Sequence, residues 1–596
     1  MGHAYHAVGW NRQKRLYDLV LVGAILVALV LHAGATVALR PDATAETILI
    51  RGFGTVAFLL LHVVLSIGPL CRLDRRFLPL LYNRRHMGVA MFFLALGHGT
   101  LSFVLFHTLG VLSPLASLFA GDTGTTGFAS LPFQPLGAIA LGILYLMAAT
   151  SHDFWLRNLT PSAWKALHML VYAAWALVVM HVALGFLQSD TSPWLVGLVA
   201  CGVAWILGLH LLVARRERRG DALRAADAQG WVDAGPVAAI PQGRAVVVSA
   251  AGERVAVFRH GAKLSAIAST CRHQGGPLGE GRVVDGCVVC PWHGYQYRPE
   301  DGRSPAPFTE KVPTFRVRVA GERVQVHARP MPCGTAVEPA ACDGAAGRDD
   351  GGEHYVGYAP RSSARQARFT LASASIIVAI CLASVGLVAA SQRELKDARF
   401  EFGVVREFAG VVEDAPYPLL RVPRPGGGAS SYLLVAPGKH GADELVAPFV
   451  GRGARLAGSL VHQGGRTMIE VVPGSLRAEE VRLEGVGGRE PLGRFVLRGE
   501  IVDSKCHLGV MNPGERRTHR ACAKLCVRGG IPPLLWVEDG RGGLRRFLLV
   551  GERGEAVNAQ VVDLVGDPVE IEGEVERDGD MLVLRADPAS YRRLGD

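Results

Sequence analysis

Apolar residues run almost unbroken through positions 16–39, 50–71, 87–109, 132–150, 165–187 and 193–213, and then the pattern stops. About 20 residues at 1.5 Å rise cross a ~30 Å hydrocarbon layer. In lipid a helix satisfies its own backbone polar groups, and an open strand does not. The pattern predicts six spanning helices within residues 1–215. Residues 214–228 are a polar Arg/Ala/Asp linker. From 229 to 329 the period shortens to alternating runs with glycine turns, such as RVAVFRHGAKLSAI and FRVRVAGERVQVH, which predict half-buried strands. Residues 330–366 are Pro, Gly, Ala and charge, a linker. A single further apolar run, FTLASASIIVAICLASVGLVAAS within 367–391, predicts a seventh spanning helix.

The rest reads as β structure with an internal duplication. FGVVREFAGVVED (402–414) resembles GRFVLRGEIVD (493–503), YLLVAPGKHGA (432–442) resembles FLLVGERGEA (547–556), and ARLAGSLVHQGGRTMIEV (454–471) resembles VEIEGEVERDGDMLVL (569–584). Order and spacing agree, so residues 395–485 and 490–595 are expected to be two barrel-like units of about five strands each. The second carries an insertion over 504–533 where the first has a plain loop. The fold class is therefore a multidomain membrane protein with a helical bundle, an all-β middle domain, one more spanning helix and a duplicated all-β end.

Charge orients this chain. Hydrophobic residues make up 49%, charged residues 19%, and the formal charge is +10. Arg12, Lys14 and Arg15 precede the first run; Arg72, Arg75, Arg76, Arg84 and Arg85 lie between the second and third; Arg157 and Lys165 lie between the fourth and fifth; ARRERRGD follows the sixth. The alternate loops 41–48, 110–131 and 188–192 hold no Lys or Arg. By the positive-inside rule both ends of the six-helix unit are cytoplasmic. Arg361, Arg365 and Arg368 precede the seventh helix, so everything after 392 is expected outside, in a bacterial periplasm beyond the inner membrane. No small-residue cleavage site follows the first run, which is long enough to span. Basic residues flank apolar runs instead of forming a nucleic-acid footprint, so no nucleic-acid partner is expected; the partners are the bilayer and electron donor and acceptor proteins.

Eleven cysteines are too few for a disulfide scaffold, and six fall in two clusters. The first cluster is Cys271-x-His273, sixteen residues, then Cys290-x-x-His293. Two thiolates and two imidazoles from paired loops can hold a [2Fe–2S] cluster, the cysteines on one iron and the histidines on the other. A Cys₂His₂ zinc site pairs Cys with Cys and His with His; here each loop supplies one of each. Residues 229–329 resemble a Rieske domain, of the ferredoxin and oxygenase-associated type. The respiratory type carries an extra cysteine in each loop; here those places fall at Gly276 or a neighbour and at Trp292. Cys287 reads as ordinary core. No soluble segment offers a two-His-one-carboxylate iron site, so an aromatic-ring oxygenase is not expected.

Ionisable residues inside spanning helices are functional candidates. His98 follows Arg85 by thirteen residues and His181 follows Lys165 by sixteen, so the two share a depth and could ligate one haem iron from opposite sides. His86 and His168 form a second depth-matched pair. His168 and His181, thirteen apart, stand ~140° apart on a regular helix and could not face one point. Packed, hydrogen-bonded histidines are the plainer account of His32, His107 and His210, and His62 is open. The segments RRHMGVAMFFLALGH and TSHDFWLRNLTPSAWKALHMLVYAAWALVVMH resemble the ferric-reductase-like transmembrane family over about 16–213. That resemblance implies one or two b-type haems, with ligands carried onto His98, His168 and His181.

The second cluster is Cys506, His507, His519, Cys522 and Cys526, within twenty-one residues. Such density of soft donors suggests a metal or cofactor; a disulfide with one cysteine left over is the alternative. The expected function is membrane electron transfer among a cytoplasmic Rieske cluster, intramembrane haem and an outer domain or partner. The alternatives are a transmembrane reductase of an outer metal ion or sulfoxide, and a metal-handling protein that uses the outer cysteines.

Overall fold

Backbone amides in lipid have no water to turn to, and each apolar run is helical. The computed structural model describes residues 12–594 apart from 82–83, 121–130, 152–154, 156–158, 160, 221–225, 251, 274, 293, 307, 343–363, 396, 426, 484–488 and 539–543. The first helices are α1 (Arg12–Leu39), α2 (Ala45–Leu73), α3 (Arg84–His107) and α4 (Phe133–Ala149). They are followed by α5 (Pro161–Met169), α6 (Val171–Leu184), α7 (Pro193–Gly220) and α8 (Ala364–Ser391). Six segments have the length and hydropathy of a membrane span: α1, α2, α3, the α5–α6 run, α7 and α8. The remaining apolar helix, α4, has 17 residues, a rise of ~25 Å, and packs between α3 and α6. Thr44 starts α2, its hydroxyl accepting from the Thr47 amide at 3.4 Å. The fifth run is two helices, interrupted at Leu170 between His168 and His181. Leu170 keeps right-handed helical dihedrals, φ −62° and ψ −11°, and the two imidazoles face different points, as a ~140° separation requires.

The middle domain is built on an antiparallel meander, Ala245–Ala250, Glu253–His260 and Lys263–Ala268. A three-stranded sheet pairs Trp231–Pro236 with Arg323–His327 and that with Val317–Ala320. Val255, Val257, Phe258, Leu264 and Ile267 are fully buried between them. A third small sheet, Arg282–Val284, Cys287–Val289 and Gln296–Tyr297, carries the second Cys/His loop. Cys287 is a half-buried member of its middle strand, apart from the ligand loops.

The two C-terminal units repeat one topology. In the first, the strands are Arg406–Glu413, Leu419–Pro423, Ala429–Ala436, Gly453–Gln463 and Arg466–Val471. In the second they are Glu490–Asp503, Pro533–Glu538, Leu544–Val550, Pro568–Asp578 and Met581–Arg585. Both pair one-two-three-five-four-one, with three and five parallel. Each places short helical turns between strands three and four. This is the closed Greek-key barrel of the OB type. The insertion joins strands one and two of the second unit and contains α9 (Arg520–Arg528).

The domains sit at opposite ends of the bundle. At the basic end, Glu217 of α7 accepts from Arg72 of α2 at 2.7 Å and from Arg254 of the middle domain at 3.3 Å. Gln366 at the start of α8 donates to the Arg76 carbonyl at 2.8 Å. At the other end, Arg40 donates to the carbonyls of Ala389 (2.7 Å) and Ala390 (3.1 Å), capping α8 where its dipole is negative. There the insertion docks on the helix ends: Asn512 to the Asp42 carbonyl at 3.0 Å, Arg517 to Leu131 at 3.0 Å, and Arg516 to Ser189 at 3.2 Å. Lys439 of the first unit donates to the Leu105 carbonyl of α3 at 3.1 Å.

Candidate functional site

The two Cys/His loops of the middle domain share one turn. The Cys271 amide donates to the Gly276 carbonyl at 2.8 Å and the Gly275 amide to the Cys271 carbonyl at 2.8 Å. In the second loop the Cys290 amide donates to Tyr295 at 2.8 Å and the Gly294 amide to Cys290 at 2.9 Å. Gly275 (φ 74°) and Gly294 (φ 70°) hold the left-handed position that each turn requires. Cys271 and Cys290 are buried to within 2% and 1% exposure. His273 stacks on Tyr295, ring centroids 4.9 Å apart; the fourth expected ligand, His293, lies outside the described residues. A β-carbon on Gly276 would stand 2.6 Å from Cys290 Sγ and 3.3 Å from the Trp292 ring. The loops therefore close tightly where the respiratory type would carry its extra cysteines.

Tyr297 bears directly on the thiolate. Its hydroxyl lies 3.5 Å from Cys271 Sγ and accepts from the Arg272 amide at 3.0 Å. Burial and the Cys271 sulfur push its phenol far up, so it stays protonated. A donor to a cluster sulfur favours the more negative, reduced state. Tyr297→Phe is therefore expected to lower the cluster potential by roughly 40 mV, the equivalent of about 1 kcal/mol for one electron. An EPR-monitored redox titration reads this directly; an unchanged potential removes the hydroxyl from the account.

Inside the bundle the structure brings together His98 of α3 and His181 of α6, ring centroids 6.1 Å apart and planes at 88°. Their Nδ1 atoms donate to helix carbonyls, His98 to Ile50 at 2.9 Å and His181 to Phe133 at 2.8 Å. This fixes the tautomer whose Nε2 has its lone pair available to a metal. The two arrangements are copies. Each carbonyl lies 48 residues before its histidine, and each is followed four residues on by a glycine against the ring. A β-carbon would stand 2.9 Å from His98 Nδ1 at Gly54 and 2.6 Å from His181 Nδ1 at Gly137. Two imidazoles sharing one metal, with metal–nitrogen bonds of about 2.0 Å, put their centroids roughly 6 Å apart. The pair fits bis-histidine haem ligation.

His168 stands outside this pair. Its Nδ1 is 3.0 Å from the Trp164 carbonyl, its ring stacks on Trp164 at 3.8 Å, and Nε2 is 3.5 Å from Ser151. His86 donates from Nδ1 to Asp18 at 2.8 Å. His168 does lie at the end facing the middle domain. Lys165, one turn before it, has Nζ 3.5 Å from the β-carbon position of Gly275 in the first Cys/His loop. Of the remaining histidines, His62 is bonded to the Phe58 carbonyl at 2.9 Å and accepts from Trp175 at 3.3 Å. His107 bonds Ser117 at 2.8 Å, and His210 lies 2.9 Å from Ile206 and 3.0 Å from Tyr172. His32 is fully buried with neither ring nitrogen partnered among the described residues.

At the outer end, donor atoms of Cys506, His519 and Cys522 lie within 4.8 Å of one another, as do those of Asp503, Cys506 and Cys526. All three thiols are free and buried. Contacts with Cys506 and Cys526 hold the Cys522 thiol well below its ordinary value, while contacts with Cys522 and Cys526 push Cys506 up. His507, grouped with this cluster by sequence spacing alone, turns elsewhere. It accepts from Arg546 at 3.2 Å and faces Glu515 at 3.6 Å, packed on Trp536. Sequence reasoning missed Asp503, whose carboxylate takes the Cys506 amide at 2.8 Å and His519 Nε2 at 3.0 Å.

Residues 230–316 match the Rieske [2Fe-2S] domain family, and residues 51–179 match the ferric reductase like transmembrane component. The anthranilate 1,2-dioxygenase ferredoxin subunit of Burkholderia cepacia is 39% identical over 79 residues, which is 13% of this chain and 73% of that protein. Cholesterol 7-desaturase nvd 1 of Ciona intestinalis is 38% identical over 107 residues, 17% of this chain; the chain spans only 23% of the desaturase's length. Among solved structures, a chain of the complex of reduced oxygenase and oxidized ferredoxin in carbazole 1,9a-dioxygenase is 27% identical. That match covers 17% of this chain and 97% of the other, at a TM-score of 0.17.

Proposed function

Because this chain belongs to the Rieske [2Fe–2S] domain family and joins that domain to a ferric-reductase-like membrane component, we propose that it carries electrons across the bilayer between its two aqueous ends. It is a multi-pass membrane protein. When bound, a [2Fe–2S] cluster and a b-type haem would each take up and release one electron at a time. Cys271, His273, Cys290 and His293 would hold the cluster, and His98 with His181 the haem.

The observation that carries this reading is the placement of the two soluble parts. The first Cys/His loop rests on Lys165 at the basic end, and the insertion rests on Phe106 of α3 and on neighbouring helix ends at the other. The basic end is the cytoplasmic one by the positive-inside rule, so the Rieske domain is cytoplasmic and the duplicated barrels are extracytoplasmic. α3 and the α5–α6 run supply the positioning. Thirteen helical residues, ~20 Å, separate His168 near the Rieske loop from His181 deeper in the bundle. His168 thus lines the way between them without sharing the haem iron. The outer cysteines suit a metal-handling receptor poorly, since each is at most 4% exposed.

Low-temperature EPR and redox-difference optical spectra on the purified full chain test the reading. The expected result is a Rieske signal and a Soret band in one particle, with haem that is reduced through the cluster. In Cys290→Ser a soluble reductant that acts through the Rieske domain then reduces haem at least ~100-fold more slowly, two decades being about 2.7 kcal/mol of barrier. Equal rates in both chains, or a colourless wild-type chain, sink the proposal.

A further inference from the structure

The insertion of the second barrel holds an arrangement that neither the Rieske loops nor the histidine pair uses. Cys506 is in hydrogen-bond contact with both Cys522 and Cys526, which face one way at i and i+4 on α9. His519, immediately before that helix, is 1% exposed. Its Nε2 donates to Asp503 at 3.0 Å, and its Nδ1 has no hydrogen-bond partner among the described residues. A buried imidazole oriented by a carboxylate through one nitrogen, its other nitrogen unpartnered and its ring grouped with two thiols, has the second-sphere pattern of a metal-bound histidine. Asp503 is itself taken up by His519 and by the Cys506 amide at 2.8 Å, so Cys526 is the natural fourth ligand.

We propose that Cys506, His519, Cys522 and Cys526 bind one zinc ion in a closed tetrahedral Cys₃His site that locks the insertion onto the outer end of α3. Donors 2.0–2.3 Å from a tetrahedral ion stand about 3.5–3.8 Å apart; the donor atoms of Cys506, His519 and Cys522 lie within 4.8 Å of one another, and that of Cys526 lies within 4.8 Å of Cys506. A two-iron cluster spreads its ligands over two metals and needs a wider set. A disulfide between any two of the thiols would leave the third, and His519 Nδ1, buried without a partner. Burial also argues for a resident ion: none of the four residues is more than 4% exposed, which leaves no open coordination position. Three thiolates leave the site one negative charge in excess. Lys439 offsets it, interacting with Cys522 while its ammonium donates to the Leu105 carbonyl at 3.1 Å. Phe106 of α3 closes the site against the His519 ring, centroids 6.5 Å apart.

The test is metal analysis of the full chain purified from membranes, with iron counted separately. About one zinc per chain is expected. It should fall at least ~10-fold in Cys526→Ser and in His519→Ala, and stay in Cys290→Ser. Intact mass after denaturation without reductant should show all three outer thiols open to alkylation. Should the variants fail to fold, cobalt exchanged into the unaltered chain gives tetrahedral d–d bands and thiolate charge transfer. A chain without zinc and two daltons light, zinc kept in both variants, copper or mononuclear iron on these ligands, or cobalt without tetrahedral bands would each overturn the assignment. None of these readouts depends on electron transfer, so the site and the electron route fail separately.

Discussion

In His181→Ala the Soret band is expected to disappear while the [2Fe–2S] signal keeps full strength. The imidazole is one of two that converge at 6.1 Å between centroids, and alanine offers the iron nothing. The finer test is Gly137→Ala, which leaves both ligands in place. Its methyl would stand 2.6 Å from His181 Nδ1 and 2.8 Å from Cε1, closer than nonbonded atoms approach. The ring must move and its bond to the Phe133 carbonyl must stretch. Disturbing such a supporting contact typically costs 10–100-fold in affinity, so haem content should fall by roughly that factor. Gly54→Ala should act in the same direction through His98, and less, because its closest approach is 2.9 Å. Pyridine haemochrome assays on equal amounts of protein measure all three. Full haem in His181→Ala would show that the pair is packing alone.

The opposite selectivity is expected of Gly276→Ala: the EPR signal of the cluster goes and the Soret band stays. The added methyl would meet Cys290 Sγ at 2.6 Å and the Trp292 ring at 3.3 Å. A ligand sulfur cannot yield that distance and keep its bond to iron, so acid-labile sulfide should fall by about 10-fold or more. Gly275 next door is the control. Its φ of 74° disfavours any side chain, but an added methyl meets only the flexible end of Lys165 at 3.5 Å. Gly275→Ala should cost about 1 kcal/mol of backbone strain and keep the cluster. Equal sulfide in both variants and the unaltered chain would remove the tight loop closure from the argument.

Much of the architecture was legible in the residues because its signals are local. Twenty apolar residues in lipid have one solution, and so the helical runs could be placed from hydropathy. The interleaved Cys/His spacing of 271–293 marks the Rieske loops in the sequence itself. The duplication could be read from three matched strand segments, and the topology of both barrels repeats strand for strand. His98 and His181 were matched by counting from basic loops, and they meet.

What failed were inferences that treated chain proximity as spatial proximity. His507 adjoins Cys506 yet faces Arg546, since one step along a helical backbone turns a side chain by ~100°.

The sequence alone determined which segments lie in lipid, which loops face the basic side, and which thiols and imidazoles are available as ligands. Those properties follow from hydropathy, charge and spacing along the chain. Only the tertiary structure decided which donors converge: Ile50 and Phe133 turning two imidazoles toward each other, Gly54 and Gly137 making room, and Asp503 holding His519 beside Cys506 and Cys522. The reason is physical: a ligand site is a constraint on distances across packed elements. Residues 48 apart in the chain become neighbours only when helices close on one another.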